Sequence, residues 1–229
     1  MPEMEDPQQK KWTEVDNYIS NLFVPLDRAL DGALEASDAA GMPAINVSAN
    51  HGKLLMLFAK MLNASRILEI GTLGAYSTIW LARGLAPGGR LITLEYEPRH
   101  AEVAQANLIR AGVAEQVEIR VGRAGDTLPK LLEEGKGPFD LIFIDADKQG
   151  YTEYLKWSLK LARKGTVIIA DNVVRKGAVT DPASKDEMVR GIQQFNLALS
   201  AEKRVSATEI QTVGSKGYDG LAIAMVIGD

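Results

Sequence analysis

Two textures divide the chain. From residue 12 to 63, apolar residues recur at mixed three- and four-residue spacings, the period of amphipathic helices. "EVDNYISNLFVPLDRALDGALEASDAAG" reads as two helices parted at Pro25, the second ended by Gly41-Met42-Pro43, and "GKLLMLFAKMLNAS" as a third. From residue 66 onward, short apolar runs alternate with helical patterns. "RILEIG", "RLITLEYE", "QVEIRVG", "FDLIFIDA" and "TVIIADN" are strand-like, and the first four each lead into a stretch of helical spacing. Such alternation predicts a parallel sheet with helices on both faces. A polar loop near 178–186 precedes another helix, "KDEMVRGIQQFNLALS". "RVSATEIQ" and "DGLAIAMVI", parted by the turn-rich "TVGSKGY", then predict an antiparallel pair. The expected fold is α/β: a seven-stranded, doubly wound, mostly parallel sheet with an antiparallel C-terminal strand and N-terminal helices. No Pro/Gly/Ser linker follows residue 63, so 1–63 reads as a helical cap on a single domain spanning 1–229, with 64–229 as its core.

Composition narrows the function classes. A chain of 229 residues, 46% apolar and 24% charged, buries a substantial core and is not a disordered segment. It has no cysteine, which excludes disulfides and thiolate metal sites and fits a reducing cytoplasm. The net charge of −4 comes from interspersed acids and bases, with no basic stripe to follow a nucleic acid. No segment is long and apolar enough to span a bilayer, and the N-terminal "MPEMEDPQQKKW" is polar, unlike a targeting peptide. A cytoplasmic protein without nucleic-acid or membrane partners is expected.

The candidate chemistry collects where strands stop, since open parallel sheets bind ligands at the carboxyl ends of their strands. "LEIGTLGAYS" places Glu69 inside an apolar run and Gly71 and Gly74 in the turn into a helix, where backbone can approach a ligand. The spacing is not the dinucleotide G-x-G-x-x-G, which argues against nicotinamide chemistry. Glu95 lies 24 residues past Gly71, near the spacing of an acid that holds ribose hydroxyls. Ala124 and Asp126 follow the third strand, Asp126 as a candidate cap of the next helix. The fourth and fifth runs end in Asp145 and in Asp171-Asn172, three oxygen ligands of the kind a hard cation takes. Lys148, three residues past Asp145, shares its face if a helix begins at once, and a neighbouring positive charge favours its neutral, basic form. Plainer readings stand beside each: a glycine turn, a solvated acid, helix caps, a surface lysine. Asp147 reads as a helix N-cap, His51 and His100 as structural or surface residues, and Trp80 and Trp157 as packing.

Together "RILEIGTLGAYSTIWLARGL", "LEYEP", "FDLIFIDADKQGYTEYL" and "IIADNVVRKGAV" resemble the cation-dependent O-methyltransferases of the caffeoyl-CoA and catechol type, in order from about residue 45 to the C-terminus. The resemblance implies the seven-stranded class I methyltransferase sheet, S-adenosylmethionine as cofactor, and methyl transfer to a phenolic hydroxyl of a catechol-like acceptor. It implies cofactor contacts from Val47, Glu69, Gly71, Ser77, Glu95, Ala124 and Asp145. Asp145, Asp171 and Asn172 would bind a divalent cation (Mg²⁺ first, Mn²⁺ or Ca²⁺ as alternatives), and Lys148, with Asp145, would form the catalytic group. Lys176, Tyr218 and Asp219 fall in an acceptor-contact region, and a homodimer is implied. Val47 replaces a threonine of the plant members, Arg175-Lys176 replaces their Trp-Asn, and the 178–186 loop is shorter, all of which argue against a caffeoyl-CoA acceptor. Two other readings stay open on this fold: methylation of nucleic acid, opposed by the acidic balance, and a non-catalytic S-adenosylmethionine-binding module, opposed by the intact D-A-D-K and D-N sets.

Overall fold

Apolar runs too short for helices become the centre of the molecule. A computed structural model describes residues 6–228. The sheet order is β3-β2-β1-β4-β5-β7-β6, with β1 at Arg66–Ile70, β2 at Arg90–Glu95, β3 at Val117–Val121, β4 at Leu141–Ile144, β5 at Val167–Asp171, β6 at Val205–Gly214 and β7 at Gly217–Val226. The first five are mutually parallel; β7 runs antiparallel to both β5 and β6. The expected seven strands and reversed C-terminal strand are present. Strands β4 and β5 are buried along their whole length, which is why their sequences carry continuous apolar runs instead of alternation.

Helices cover both faces, and successive strand side chains divide between them. Ile67 packs with Leu55, Ile79 and Leu108 on one side of the sheet. Leu68 and Ile70 pack with Leu128, Tyr151 and Phe195 on the other. The core helices are α4 (Tyr76–Gly84), α5 (Pro98–Arg110), α6 (Ala124–Glu133), α7 (Tyr151–Lys160) and α8 (Glu187–Ala201). The strand order reverses between β1 and β4, and a crevice opens there at the carboxyl ends of the strands.

Three helices precede the sheet: α1 (Pro7–Phe23), α2 (Arg28–Ala39) and α3 (Ala49–Met61). The breaks at Pro25 and at 41–43 are as expected, but two starts fall earlier. Asp6 caps α1 by accepting from the Gln8 N–H, with Pro7 at its first position, so the helix begins inside the polar stretch. Ser48 caps α3 in the same way. Residues 1–5 and 229 of the expected span lie outside the described residues. The "TVGSKGY" segment is mostly strand: β6 and β7 continue until only Ser215 and Lys216 turn between them. That hairpin tip is fastened to the N-terminal helices. The Ser215 N–H and hydroxyl both donate to Asp16 (3.0 and 2.6 Å), Gln9 Nε2 donates to the Gly214 carbonyl (3.0 Å), and Lys216 Nζ donates to the Ala44 carbonyl (3.1 Å). Among the described residues no helix is long and apolar enough to cross a membrane.

Candidate functional site

The crevice between β1 and β4 widens into a cavity of about 1150 Å³. Its walls come from distant parts of the chain: residues 43–47 before α3, the turn after β1, the ends of β2 and β3, the segment 145–150 after β4, and Asn172 and Arg175 after β5. Val47, Gly71, Ser77, Glu95, Ala124, Asp145, Lys148 and Asn172, all singled out from the sequence, line this one space.

The turn after β1 is shaped by close approach. Gly71 has φ +105°, and any side chain there would run into the Asp145 carbonyl, so the ends of β1 and β4 can meet only over a glycine. Glu95 holds the same turn from the next strand: its Oε2 accepts from the Thr72 and Leu73 N–H groups (3.3 and 2.7 Å), and its Oε1 from the Glu97 N–H (2.9 Å). Glu69 lies beneath the cavity, not on its surface. Fully buried, it accepts from the hydroxyls of Ser77 (2.7 Å), Thr78 (2.5 Å) and Thr93 (2.7 Å). Burial pushes its carboxyl up to about 7 despite these three hydrogen bonds. It reaches the pocket through Ser77, which does line it.

At the other end of the cavity, Lys148 is 6% exposed and held on two sides. Its Nζ donates to Asp145 Oδ1 (2.9 Å) and to the Tyr151 hydroxyl (2.7 Å). Tyr151, fully buried, donates in turn to the Asp171 carbonyl (2.9 Å), with the Ile144 carbonyl at 3.2 Å. The expected proximity of Asp145 and Lys148 is real, but it spans the non-helical residues 145–147, and a 3₁₀ turn begins only at Lys148 (Lys148–Gly150). Asp147 caps that turn through the Gly150 N–H (3.1 Å) and also accepts from Tyr154 (2.5 Å). Asp171, 6% exposed, ends β5, and Asn172 follows it in a left-handed conformation, φ +59°. Burial first, and then repulsion from Asp145, push the Asp171 carboxyl well above the ordinary carboxylate range. Among the described residues no group of three or more His, Cys, Asp or Glu side chains is placed to hold a metal ion. The expected ligands are instead two carboxylates and an amide.

Several residues stand elsewhere than the sequence implies. Lys176 is exposed and outside the cavity lining. Tyr218, which donates to Gln211 (2.5 Å), and Asp219 also lie outside that lining. Asp219 Oδ1 accepts from the Val174, Arg175 and Gly220 N–H groups (3.0, 2.8 and 2.9 Å), so it shapes the loop after β5 from beneath. Asp126 lies within the first turn of α6, whose N-cap is Arg123, and makes no cap. The two histidines are closer to the chemistry than their spacing shows: His51 Nδ1 lies 3.7 Å from Asp171 Oδ2, and His100, on the cavity wall, 3.5 Å from Glu95 Oε1. Burial holds the His51 imidazole below its ordinary value. Tyr151 is the main residue that sequence reasoning misses. Its position three after Lys148 is the available signal.

Residues 27–225 match the O-methyltransferase family. A catechol O-methyltransferase of Niastella koreensis is 57% identical over 212 residues, 93% of this chain and 96% of that protein. Another, of Mycobacterium tuberculosis, is 51% identical over 219 residues, covering 96% and 98%. The crystal structure of an O-methyltransferase from Bacillus cereus in complex with SAH superimposes with a TM-score of 0.94 at 52% identity, covering 95% of this chain and 99% of that one. The seven-stranded sheet thus has its counterpart in a known group: the chain belongs to the O-methyltransferase family, a family of S-adenosylmethionine-dependent enzymes.

Proposed function

We propose that this enzyme transfers a methyl group from S-adenosylmethionine to a phenolic hydroxyl of a catechol-like acceptor, with a divalent cation bound at the ends of β4 and β5. The observation that carries the reading is Lys148, held between Asp145 and Tyr151 on the wall of the same cavity that the Gly71 turn and Glu95 enter. At about 1150 Å³ the cavity exceeds the ~300–1,000 Å³ usual for one small ligand, which suits a cofactor and an acceptor side by side. The names of the two relatives favour a catechol as that acceptor.

The residues present fit both groups. The Gly71–Leu73 turn brings backbone close to the pocket, and Glu95 and Ser77, whose proton goes to Glu69, face it with acceptor oxygens for the cofactor's polar parts. Asp171 is a buried carboxyl with His51 Nδ1 3.7 Å from its Oδ2, and burial holds that imidazole below its ordinary value. Burial and Asp145 hold the Asp171 carboxyl above its ordinary range, and a cation at this point would favour its ionised form; Asp145, Asp171 and Asn172 would hold that cation with hard oxygen donors. When bound, the cation supplies Lewis-acid polarisation of the acceptor's oxygens, and S-adenosylmethionine supplies an electrophilic methyl carbon. Lys148 Nζ would take the proton from the acceptor hydroxyl. With S-adenosylmethionine bound, that oxygen would be placed to take the methyl group as the carbon–sulfur bond breaks, leaving S-adenosylhomocysteine. The cavity walls keep the two reactants aligned and dry. The test is transfer of a labelled methyl group to catechol, with EDTA and then with added Mg²⁺. Activity that depends on the metal supports the reading, whereas full turnover in metal-free protein, or in Asp171→Ala, overturns it.

A further inference from the structure

Two charged side chains at the acceptor end, Lys148 and Asp219, have their hydrogen bonds made within the protein. Lys148 is engaged by Asp145 and Tyr151. Asp219 is satisfied by three backbone N–H groups. Arg175 differs. It opens the 3₁₀ segment after β5, with φ +52°, and its side chain lines the cavity beside Asn172, Lys148 and Met188. A guanidinium carries five N–H donors in a planar fork. Here one terminal nitrogen lies 3.9 Å from Asp219 Oδ2, the other 3.8 Å from the Met188 sulfur, and Nε is buried with no partner. A partly buried arginine with a long ion pair, a weak thioether contact and an orphaned N–H has most of its donor capacity unused. Such a fork matches a carboxylate, which accepts two parallel hydrogen bonds.

On the reading above, we infer that Arg175 selects acceptors carrying a carboxylate on the ring substituent, so the substrate class is dihydroxyaryl carboxylic acids. The loop supports this use. Asp219 fixes the backbone of residues 174 and 175 through hydrogen bonds that do not involve the guanidinium, so the side chain can engage a ligand without dismantling the turn. Met188, on the first turn of α8, gives the aromatic ring an apolar neighbour at the same wall.

The experiment is titration calorimetry of 3,4-dihydroxybenzoate and its methyl ester. It uses wild type, Arg175→Gln and Arg175→Lys, each with Mg²⁺ and S-adenosylhomocysteine, and a thermal melt confirms that each variant folds. Wild type is expected to bind the acid about tenfold or more tighter than the ester. That ratio collapses toward one in Arg175→Gln and is intermediate in Arg175→Lys, which keeps charge but not the fork. An acid-to-ester ratio near one in wild type, no binding of the acid, or an unchanged ratio in Arg175→Gln overturns the inference; the last places the carboxylate on the cation. A parallel methylation assay keeps the two readings apart. If neither compound is methylated the proposed activity fails, while the binding ratio still decides the role of Arg175.

Discussion

Replacing Tyr151 by phenylalanine removes one oxygen from the least exposed part of the site. The hydroxyl accepts from Lys148 at 2.7 Å and donates to the Asp171 carbonyl at 2.9 Å, so it joins the proposed base to the strand that ends in a proposed cation ligand. The ring stays, edge-on to Phe195 with centroids 5.5 Å apart, and no large cavity opens. One neutral hydrogen bond contributes about 1 kcal/mol and one to a charged amine about 1.5–3, so the loss is about 2.5–4 kcal/mol. In a chain of this size that corresponds to a fall in Tm of roughly 5–15 °C. Lys148 also loses one of its two anchors. A misplaced base slows proton transfer, and kcat is expected to fall about tenfold or more. Tyr151 is fully buried and does not line the cavity, so KM for S-adenosylmethionine should hardly move. The assays are a thermal melt and steady-state kinetics with catechol, run well below the variant's Tm. A lower Tm with unchanged kcat would make Tyr151 a packing residue and refute the positioning argument.

Lys148→Ala is expected to lower kcat by about 10²–10⁴, and by less for nitrocatechols, whose hydroxyl needs less help losing its proton; equal losses across acceptors of graded acidity would remove Lys148 from the base role. Glu69 predicts a pH dependence. Its folded value is raised to about 7 from 4.5, so its stabilising contribution is complete below about pH 4.5 and is lost as pH rises through 7, a change of about 3 kcal/mol. The Tm difference between wild type and Glu69→Gln should therefore shrink across that window, and a flat difference from pH 4.5 to 7.5 would contradict the assignment. Tyr18, Leu22 and Phe23 leave an apolar stripe exposed on α1, which has no buried residue, and this supports a homodimer; light scattering at the mass of one 24.8 kDa chain would exclude it.

What the sequence makes legible is local. An apolar run that stops at an acid marks both a strand and its carboxyl end, and that pattern alone assigns Glu95, Asp145 and Asp171 to one edge of a sheet. Lys148 does meet Asp145, as its spacing predicts, but through the bend at 145–147 before the 3₁₀ turn and not on a helical face. What stays hidden depends on packing between distant segments. His51 meets Asp171 from a helix far earlier in the chain, and Asp219 reaches under residues 174 and 175 from β7. Neither partner has a spacing to betray it. The same cause hides the pairing of Tyr218 and Asp219: the "GYDG" stretch reads as a turn, but it is strand paired with β6, and Asp219 accepts from the backbone beside it. Glu69 is legible as an acid in an apolar strand, but only the three hydroxyls around it show that it works from below the pocket.

The fastening of the β6–β7 tip to the first helices has a consequence for how such enzymes can be recombined. Residues 43–47 form one wall of the cavity, and they are moored by Lys216 on Ala44, while Asp16 joins Ser215 to α1. Asp16 also accepts Asn50 from α3, through its carbonyl at 3.0 Å and through its carboxylate. The wall is thus encoded twice, by residues 16–50 and again by residues 214–216. A chimera that exchanges only the leading helices between two relatives would import a wall without its moorings. Crossovers that carry both ends and leave the middle intact should give the greater share of working hybrids.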